Sequence, residues 1–315
     1  VHAGTVVDAC ARAGRADEAA WWLRRLEAGR ILQDTVSFNS VLNALAKDGR
    51  HLESAKWLEK MQAQSLTPDV ISYNSVVHAC AKAGEVDQAS RWLGEMMSRR
   101  VSPNVVSYSS LLDAYAKLGR VADATACLQR MEAVGTTPNI VTYNSVINAC
   151  ARHMLVNDAV DWLHRIKAAA LQPDVITFNS VINACSRSAQ TSEAINWLNN
   201  MGLSRVRADE ASYNCILNAC AREGRPADAM VWLQRMRRAS LKPGVASYTS
   251  AIASCRGNSV ADRHTAESFL RAMAGSSVQP DRVFAEAARK AVGFGRFAEL
   301  CAELNLVVES RHRVA

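Results

Sequence analysis

Residues 69–104, DVISYNSVVHACAKAGEVDQASRWLGEMMSRRVSPN, hold the pattern on which the fold is read. Ile71, Tyr73, Val76, Val77 and Cys80 recur at helical spacing, and so do Val86, Ala89, Trp92, Leu93 and Met96, the mark of two short helices that each carry an apolar face. Gly84 stands between them, where a first helix ending in a left-handed turn needs a residue without a Cβ. Asp87 opens the second helix, where a carboxylate suits the exposed N–H groups. Pro103 lies in the exit link, where a missing N–H costs little. The stretch is one helical hairpin with no strand pattern in it.

Working outward, the same hairpin returns along the chain. Phe38, Tyr73, Tyr108, Tyr143, Phe178, Tyr213 and Tyr248 fall 35 residues apart, and Gly14, Gly49, Gly119 and Gly224 repeat the hinge of Gly84. Six regular copies fill 35–244, beginning at Thr35, Val70, Val105, Ile140, Val175 and Glu210. A partial first repeat occupies 1–34, a repeat with a two-residue insertion around 256–264 occupies 245–281, and a degenerate capping repeat with a tail occupies 282–315. A single hairpin cannot bury both of its apolar faces, so the copies must stack. The expected fold is all-α, a right-handed superhelical α-solenoid of about eight to nine 35-residue helix-turn-helix repeats. Trp22, Trp57, Trp92, Trp162, Trp197 and Trp232 share one place in the second helix, beside the packing Leu and Met, and are expected in the core and not as stacking platforms for bases.

Composition narrows the function without choosing it. Lys and Arg number 37 against 30 Asp and Glu, a net charge of +7 that favours an anionic partner. No run approaches the roughly 18 consecutive apolar residues of a membrane span, and the start, VHAGTVVDACARAG, lacks the order of a secretory signal. A soluble protein is expected, and a start inside a repeat suggests further repeats upstream. Cys10, Cys80, Cys150, Cys185, Cys220 and Cys255 occupy equivalent places with no CxxC pair, which marks them as small buried residues in a reducing compartment.

The quoted stretch resembles a pentatricopeptide repeat: the aromatic followed by Asn, the Ala-Lys-x-Gly hinge, the late Met and the Pro-Asn end. The likeness covers the chain and weakens after Pro280. Tetratricopeptide repeats have a period of 34 and another spacing of Gly, Tyr and Ala. The resemblance implies that the fifth and last residues of each unit face one RNA base, while the second residue packs against base planes. The implied base readers are Asn39 with Asp69, Asn74 with Asn104, Ser109 with Asn139, Asn144 with Asp174, Asn179 with Asp209, Asn214 with Gly244, and Thr249 with Asp281; Gly4 with Asp34 would be a defective first pair. The implied base-sandwiching residues are Val36, Ile71, Val106, Val141 and Ile176, with Ala211 and Ala246 short of that bulk.

Chemistry supports such a code. Uracil and guanine present a ring N–H where cytosine and adenine present an acceptor; Asp only accepts, whereas Asn also donates. A long Asn amide at the fifth place suits a pyrimidine, and a short Ser or Thr leaves room for a purine. The expected footprint from Asn39 onward is U, C or U, A, U, U, an undetermined pyrimidine, then G. The same Asn residues could instead stabilise the first helix locally. Lys47, Lys82, Lys117, Arg152, Arg187 and Arg222 recur near the end of each first helix and are expected to meet phosphates, or simply to complement the helix dipole.

No catalytic constellation emerges. The histidines, among them His51, His78, His153 and His164, share no metal-ligand spacing with cysteines or carboxylates, and Gly293–Gly295 lacks the Lys and Ser/Thr of a phosphate loop. No enzyme activity and no cofactor are expected. The partner is expected to be single-stranded RNA, not DNA or a membrane, with an RNA-processing enzyme possible in trans. The resemblance places the protein in a chloroplast or mitochondrion. The alternative is a scaffold that holds a peptide.

Overall fold

The computed structural model describes residues 2–29, 31, 33–256, 259–276 and 278–306. Helices and their connecting turns account for them, with no strand among the described residues. The helices come in pairs: α1 (His2–Arg12) with α2 (Ala16–Ala28), α3 (Thr35–Asp48) with α4 (His51–Ala63), α5 (Val70–Ala83) with α6 (Val86–Ser98), and α7 (Val105–Leu118) with α8 (Val121–Ala133). Next come α9 (Ile140–Arg152) and α10 (Val156–Ala168), α11 (Val175–Arg187) and α12 (Thr191–Leu203), and α13 (Glu210–Glu223) and α14 (Pro226–Arg238). The pairs α15 (Val245–Ala253) with α16 (Val260–Ala274) and α17 (Arg282–Val292) with α18 (Phe294–Glu303) follow. No helix of the described residues is long and apolar enough to cross a membrane.

Two compact units, Val1–Ala149 and Cys150–Ala315, divide the chain within α9. In the first, α1, α3, α5 and α7 lie side by side, each also packed on its own second helix. In the second, α11, α13, α15 and α17 repeat the arrangement. First helices therefore form a row within each unit, and any residue at a fixed place in the repeat forms a column across that row.

Local chemistry explains the hairpins. Asp34, Asp69, Asn104, Asp174, Asp209 and Asp281 are extended residues whose side chains accept the N–H three residues on, which caps α3, α5, α7, α11, α13 and α17. At the other end Gly49 and Gly84 turn left-handed, with φ of 72° and 82°. Arg50 N–H then returns to the Leu45 carbonyl at 3.0 Å and Glu85 N–H to Cys80 at 2.9 Å, which satisfies the last helical acceptors. Met154 and Ala189 hold left-handed hinges without being glycine, at a cost of roughly 1–2 kcal/mol each. A second left-handed hinge, after the second helix, uses glycine at Gly135 and other residues at Ser65, Arg100, Ala170, Arg205 and Ser240.

The core follows the 35-residue period. Phe38, Tyr73, Tyr108, Phe178 and Tyr248 are fully buried, among Val41, Leu42, Val76, Val77, Leu111 and their counterparts. Truncating such an aromatic to Ala costs about 3–5 kcal/mol. Trp57, Trp162 and Trp232 are buried as the pattern implies, while Trp22, Trp92 and Trp197 are half-buried. Cys80, Cys150, Cys185, Cys220 and Cys255 are buried and unpaired. Burial pushes the Cys150 thiol up to about 12, so it stays protonated at neutral pH.

Candidate nucleic-acid interface

Within each unit the second-place residues form a column of exposed apolar surface. Val36, Ile71, Val106, Val141 and Ile176 are 55–68% exposed, although each belongs to a residue type that normally seeks the core. Ala211 and Ala246 are exposed as well, with less to offer. Val283, the second residue of the last hairpin, is 61% exposed and continues the column. It was not singled out from the sequence, yet its place one residue after Arg282 was the available signal.

Three residues further along each first helix, on the same side of it, stands the fifth-place residue. Asn39 directs its Nδ2 to both oxygens of Asp69, at 3.1 and 3.2 Å. Its Oδ1 accepts the hydroxyl of Ser72 at 2.6 Å. Asn74 repeats the motif with Asn104 at 3.2 Å and Ser107 at 2.5 Å, and Asn179 does so with Asp209 at 3.0 Å and Ser212 at 2.6 Å. Asn214 keeps only the hydroxyl, from Ser247 at 2.7 Å, because Gly244 has no side chain to meet it. These asparagines do stabilise the structure locally, but across to the next repeat and not within their own helix.

The short residues behave otherwise. Ser109 donates its hydroxyl to the Val105 carbonyl of its own helix at 2.7 Å, and Thr249 donates to Val245 at 2.8 Å. Their companions are caps: Asn139 accepts the Thr142 N–H at 3.1 Å, and Asp281 the Phe284 N–H at 2.7 Å. Asn144 is buried in α9, and Asp174 caps α11 through the Thr177 N–H at 2.8 Å. At the defective first position Asp34 is likewise a cap, on Ser37 at 2.8 Å.

The network defines what remains for a ligand. An amide nitrogen carries two N–H donors, and the Asn39 amide gives one to Asp69. Asp69 accepts from the Ser72 N–H at 2.9 Å, from the Ser72 hydroxyl at 2.9 Å and from Asn39, which leaves lone-pair capacity on a group with roughly four acceptor sites. The Asn39–Asp69 pair, and Asn179–Asp209 like it, thus retains one donor and one acceptor side by side. In the Asn74–Asn104 pair the cap's own Nδ2 adds donors. Burial would raise the Asp209 carboxyl, but hydrogen bonds from the Ser212 N–H, the Asn179 amide and the Ser212 hydroxyl outweigh it and hold it below the usual range. The Ser37 hydroxyl and N–H do the same for Asp34. Sequence reasoning missed the third-place hydroxyls Ser72, Ser107 and Ser212; the signal was a Ser or Thr at the third place of every regular copy.

Lys47, Lys82, Lys117, Arg152, Arg187 and Arg222 are exposed, in the last turn of their helices. Lys82 donates to the Lys47 carbonyl, and Arg256, outside the column, to the Arg222 carbonyl at 2.7 Å, so these cations satisfy open carbonyls one repeat back. Lys117 pairs with Asp113 at 2.6 Å, but both are more than half exposed, which makes the pair worth little. Among the described residues no group of three or more His, Cys, Asp or Glu is placed to hold a metal ion.

No curated protein matches the chain in sequence. Among solved structures, the maize pentatricopeptide repeat protein PPR10 matches with a TM-score of 0.70 at 24% identity, over 96% of this chain and 43% of that one. PPR10 in complex with an 18-nt psaJ RNA element matches with a TM-score of 0.60 at 22% identity, over 98% and 49%. The chain therefore spans less than half the length of the maize protein, and the likeness establishes the α-solenoid fold. The model of the PPR repeat family matches residues 33–82, 68–117, 103–152, 138–187, 173–222 and 208–256, and that of the PPR repeat matches 1–31. With the family's repeat matched from end to end of the regular array, the chain belongs to the pentatricopeptide repeat family.

Proposed function

We propose that this chain binds single-stranded RNA in a sequence-dependent way, one base per repeat, and that it serves organelle RNA processing, stabilisation or translation without catalysing a reaction itself. The observation that carries the reading is the recurring fifth-place Asn bonded to the next repeat's cap, flanked by an exposed Val or Ile. Uracil offers a ring N–H and a carbonyl on one edge, which complements the acceptor and donor that Asn39 and Asp69 leave free. Asn104 supplies a donor where Asp69 supplies none, which suits the ring nitrogen of cytosine. Exposed Val and Ile on either side supply apolar surface for the base planes. The cations at the helix ends meet the phosphates. That PPR10 was crystallised with an RNA element supports an RNA partner for this fold.

The test is fluorescence anisotropy with single-stranded UCAUUUG against a scrambled RNA of equal composition, at two salt concentrations. Tight, salt-sensitive binding of the first alone is expected, and Asn144→Ser should move the preference at its base toward a purine. Equal weak binding of both would reduce the interface to a basic surface. No binding at low salt would leave a peptide scaffold as the better account.

A further inference from the structure

The second helices carry an irregularity in one repeat. At the place in the second helix where other copies have Gln62, Met97, Glu132, Lys167 and Arg237, α12 has Gly202. In three copies that long side chain meets the hydroxyl of the next repeat's aromatic: Gln62 donates to Tyr73 at 3.3 Å, Glu132 accepts from Tyr143 at 3.2 Å, and Arg237 donates to Tyr248 at 2.6 Å. Gly202 offers Tyr213 nothing. Tyr73, Tyr108, Tyr143 and Tyr248 are buried, but Tyr213 is half-buried, at the wall of a cavity of about 720 Å³.

The lining of that cavity has a definite chemistry. Leu198, Leu203 and Val206 supply apolar wall, Leu203 being 82% exposed, and Arg235 and Arg238 are its charged residues, with no acid among the lining side chains. Arg205 and Arg207 flank Val206 in the chain and are exposed. The Arg235 guanidinium already lies 4.6 Å from the centroid of the Trp232 ring, so that ring is not free to stack a base. The next groove along, about 690 Å³, has its tyrosine fully buried and its hydroxyl held by Arg237.

We propose that the cavity beside Gly202, where Tyr213 is open at the wall, is a docking site for an acidic segment of a partner protein, which inserts a leucine or aromatic side chain beside Tyr213 while its carboxylates meet Arg235 and Arg238. Exposed apolar surface rimmed by charge of one sign marks such sites, and the four arginines select an anionic partner. None of the base-reading side chains lines the cavity, so the proposal has partner and RNA held together.

The test uses the full chain and a fluorescein-labelled acidic peptide carrying Leu and Phe four residues apart, read by anisotropy. Saturable binding is expected, weakened at least tenfold by Gly202→Gln and by Arg235→Glu and undisturbed by added UCAUUUG RNA. Gly202→Gln sets an amide against the Tyr213 hydroxyl, as Gln62 does against Tyr73, and so covers the tyrosine edge that the partner side chain would meet; a Cβ there meets no atom within 4 Å, and replacing a helical glycine favours folding. Circular dichroism of both variants checks the fold. Absence of peptide binding, binding unchanged in both folded variants, or displacement of the peptide by RNA would overturn the proposal, the last by making the groove a second nucleic-acid contact.

Discussion

Asn39 and Ser109 occupy the same place in their repeats, and their side chains go in opposite directions. Asn39 spans the gap to the cap of the next helix and is held at both ends, by Asp69 and by Ser72. Ser109 turns back onto the Val105 carbonyl, and Asn139 is left as a cap with no partner from the fifth place. One repeat presents a bridged, preorganised edge, and the other presents an open one. The difference teaches that side-chain length at the fifth place sets both the space available to a base and the coupling of neighbouring repeats.

Removing the contrast should have the largest effect. Ser109→Asn recreates the Asn74–Asn104 arrangement against Asn139, and we expect the preference at that base to invert from purine to pyrimidine. A mismatched position is worth about 1–3 kcal/mol, so the ratio of affinities for UCAUUUG and UCCUUUG should change by about thirtyfold in titrations read by anisotropy. Retention of the adenine preference would show that space at the fifth place does not set the choice.

The coupling can be broken from its other side. Ser72→Ala removes the hydroxyl that joins Asn39 to the capping box and leaves a buried acceptor unmet, for about 2 kcal/mol. Thr142→Ala removes only the two local bonds its hydroxyl makes with the Asn139 backbone and should cost about 1 kcal/mol. Urea denaturation of both variants checks the ordering, and equal midpoints would mean the bridge contributes nothing.

Acid should separate the repeats by charge. The Asp209 carboxyl is held low by its hydrogen bonds, so the stabilisation it gives is complete above its unfolded value near 4 and is lost as pH falls through the folded one. Asp34 adds in the same direction. Thermal melts should therefore be flat from about pH 8 to pH 5 in this contribution and fall below about pH 4, and Asp209→Asn should flatten that fall. A variant as acid-sensitive as the parent would place the titration elsewhere.

The smallest effects belong to the cations. Six phosphate contacts on a single strand give a slope of about −4 in log affinity against log salt. Lys47→Ala should lower its magnitude by about 0.7 without altering base preference. A variant that changes preference but not slope would make Lys47 a reader.

Much of this was legible because it repeats. Phe38 to Tyr248 at a fixed 35-residue interval gave away the hairpin and its stacking, and glycines such as Gly84 marked the first hinge. The second hinge was hidden, because Ser65, Arg100 and Ala170 take the left-handed turn under the pull of packing on both sides, against their own preference. The Asn–cap–hydroxyl bridge was hidden for another reason. Asn39 lies thirty residues from Asp69 and thirty-three from Ser72, and only stacking of successive repeats brings them together. The Tyr213 cavity announces itself in sequence only as one glycine inside a helix, which reads as a minor irregularity until its neighbours are seen.

Apart from Gly244, the last residue of each regular unit is at once a letter of the proposed code and the foundation stone of the following helix. Asp69, Asn104 and Asp209 hold α5, α7 and α13 in place whether or not RNA is present. The vocabulary open to such an array is therefore censored by folding: a residue that would name a base well but cannot begin a helix, a lysine or a leucine, is struck out before recognition is ever tried. Asp and Asn pass both examinations, and they differ by a single group. Retuning a repeat between them changes what is read while leaving the scaffold standing, so an array of this kind can drift toward new targets in small steps that never pass through an unfolded intermediate.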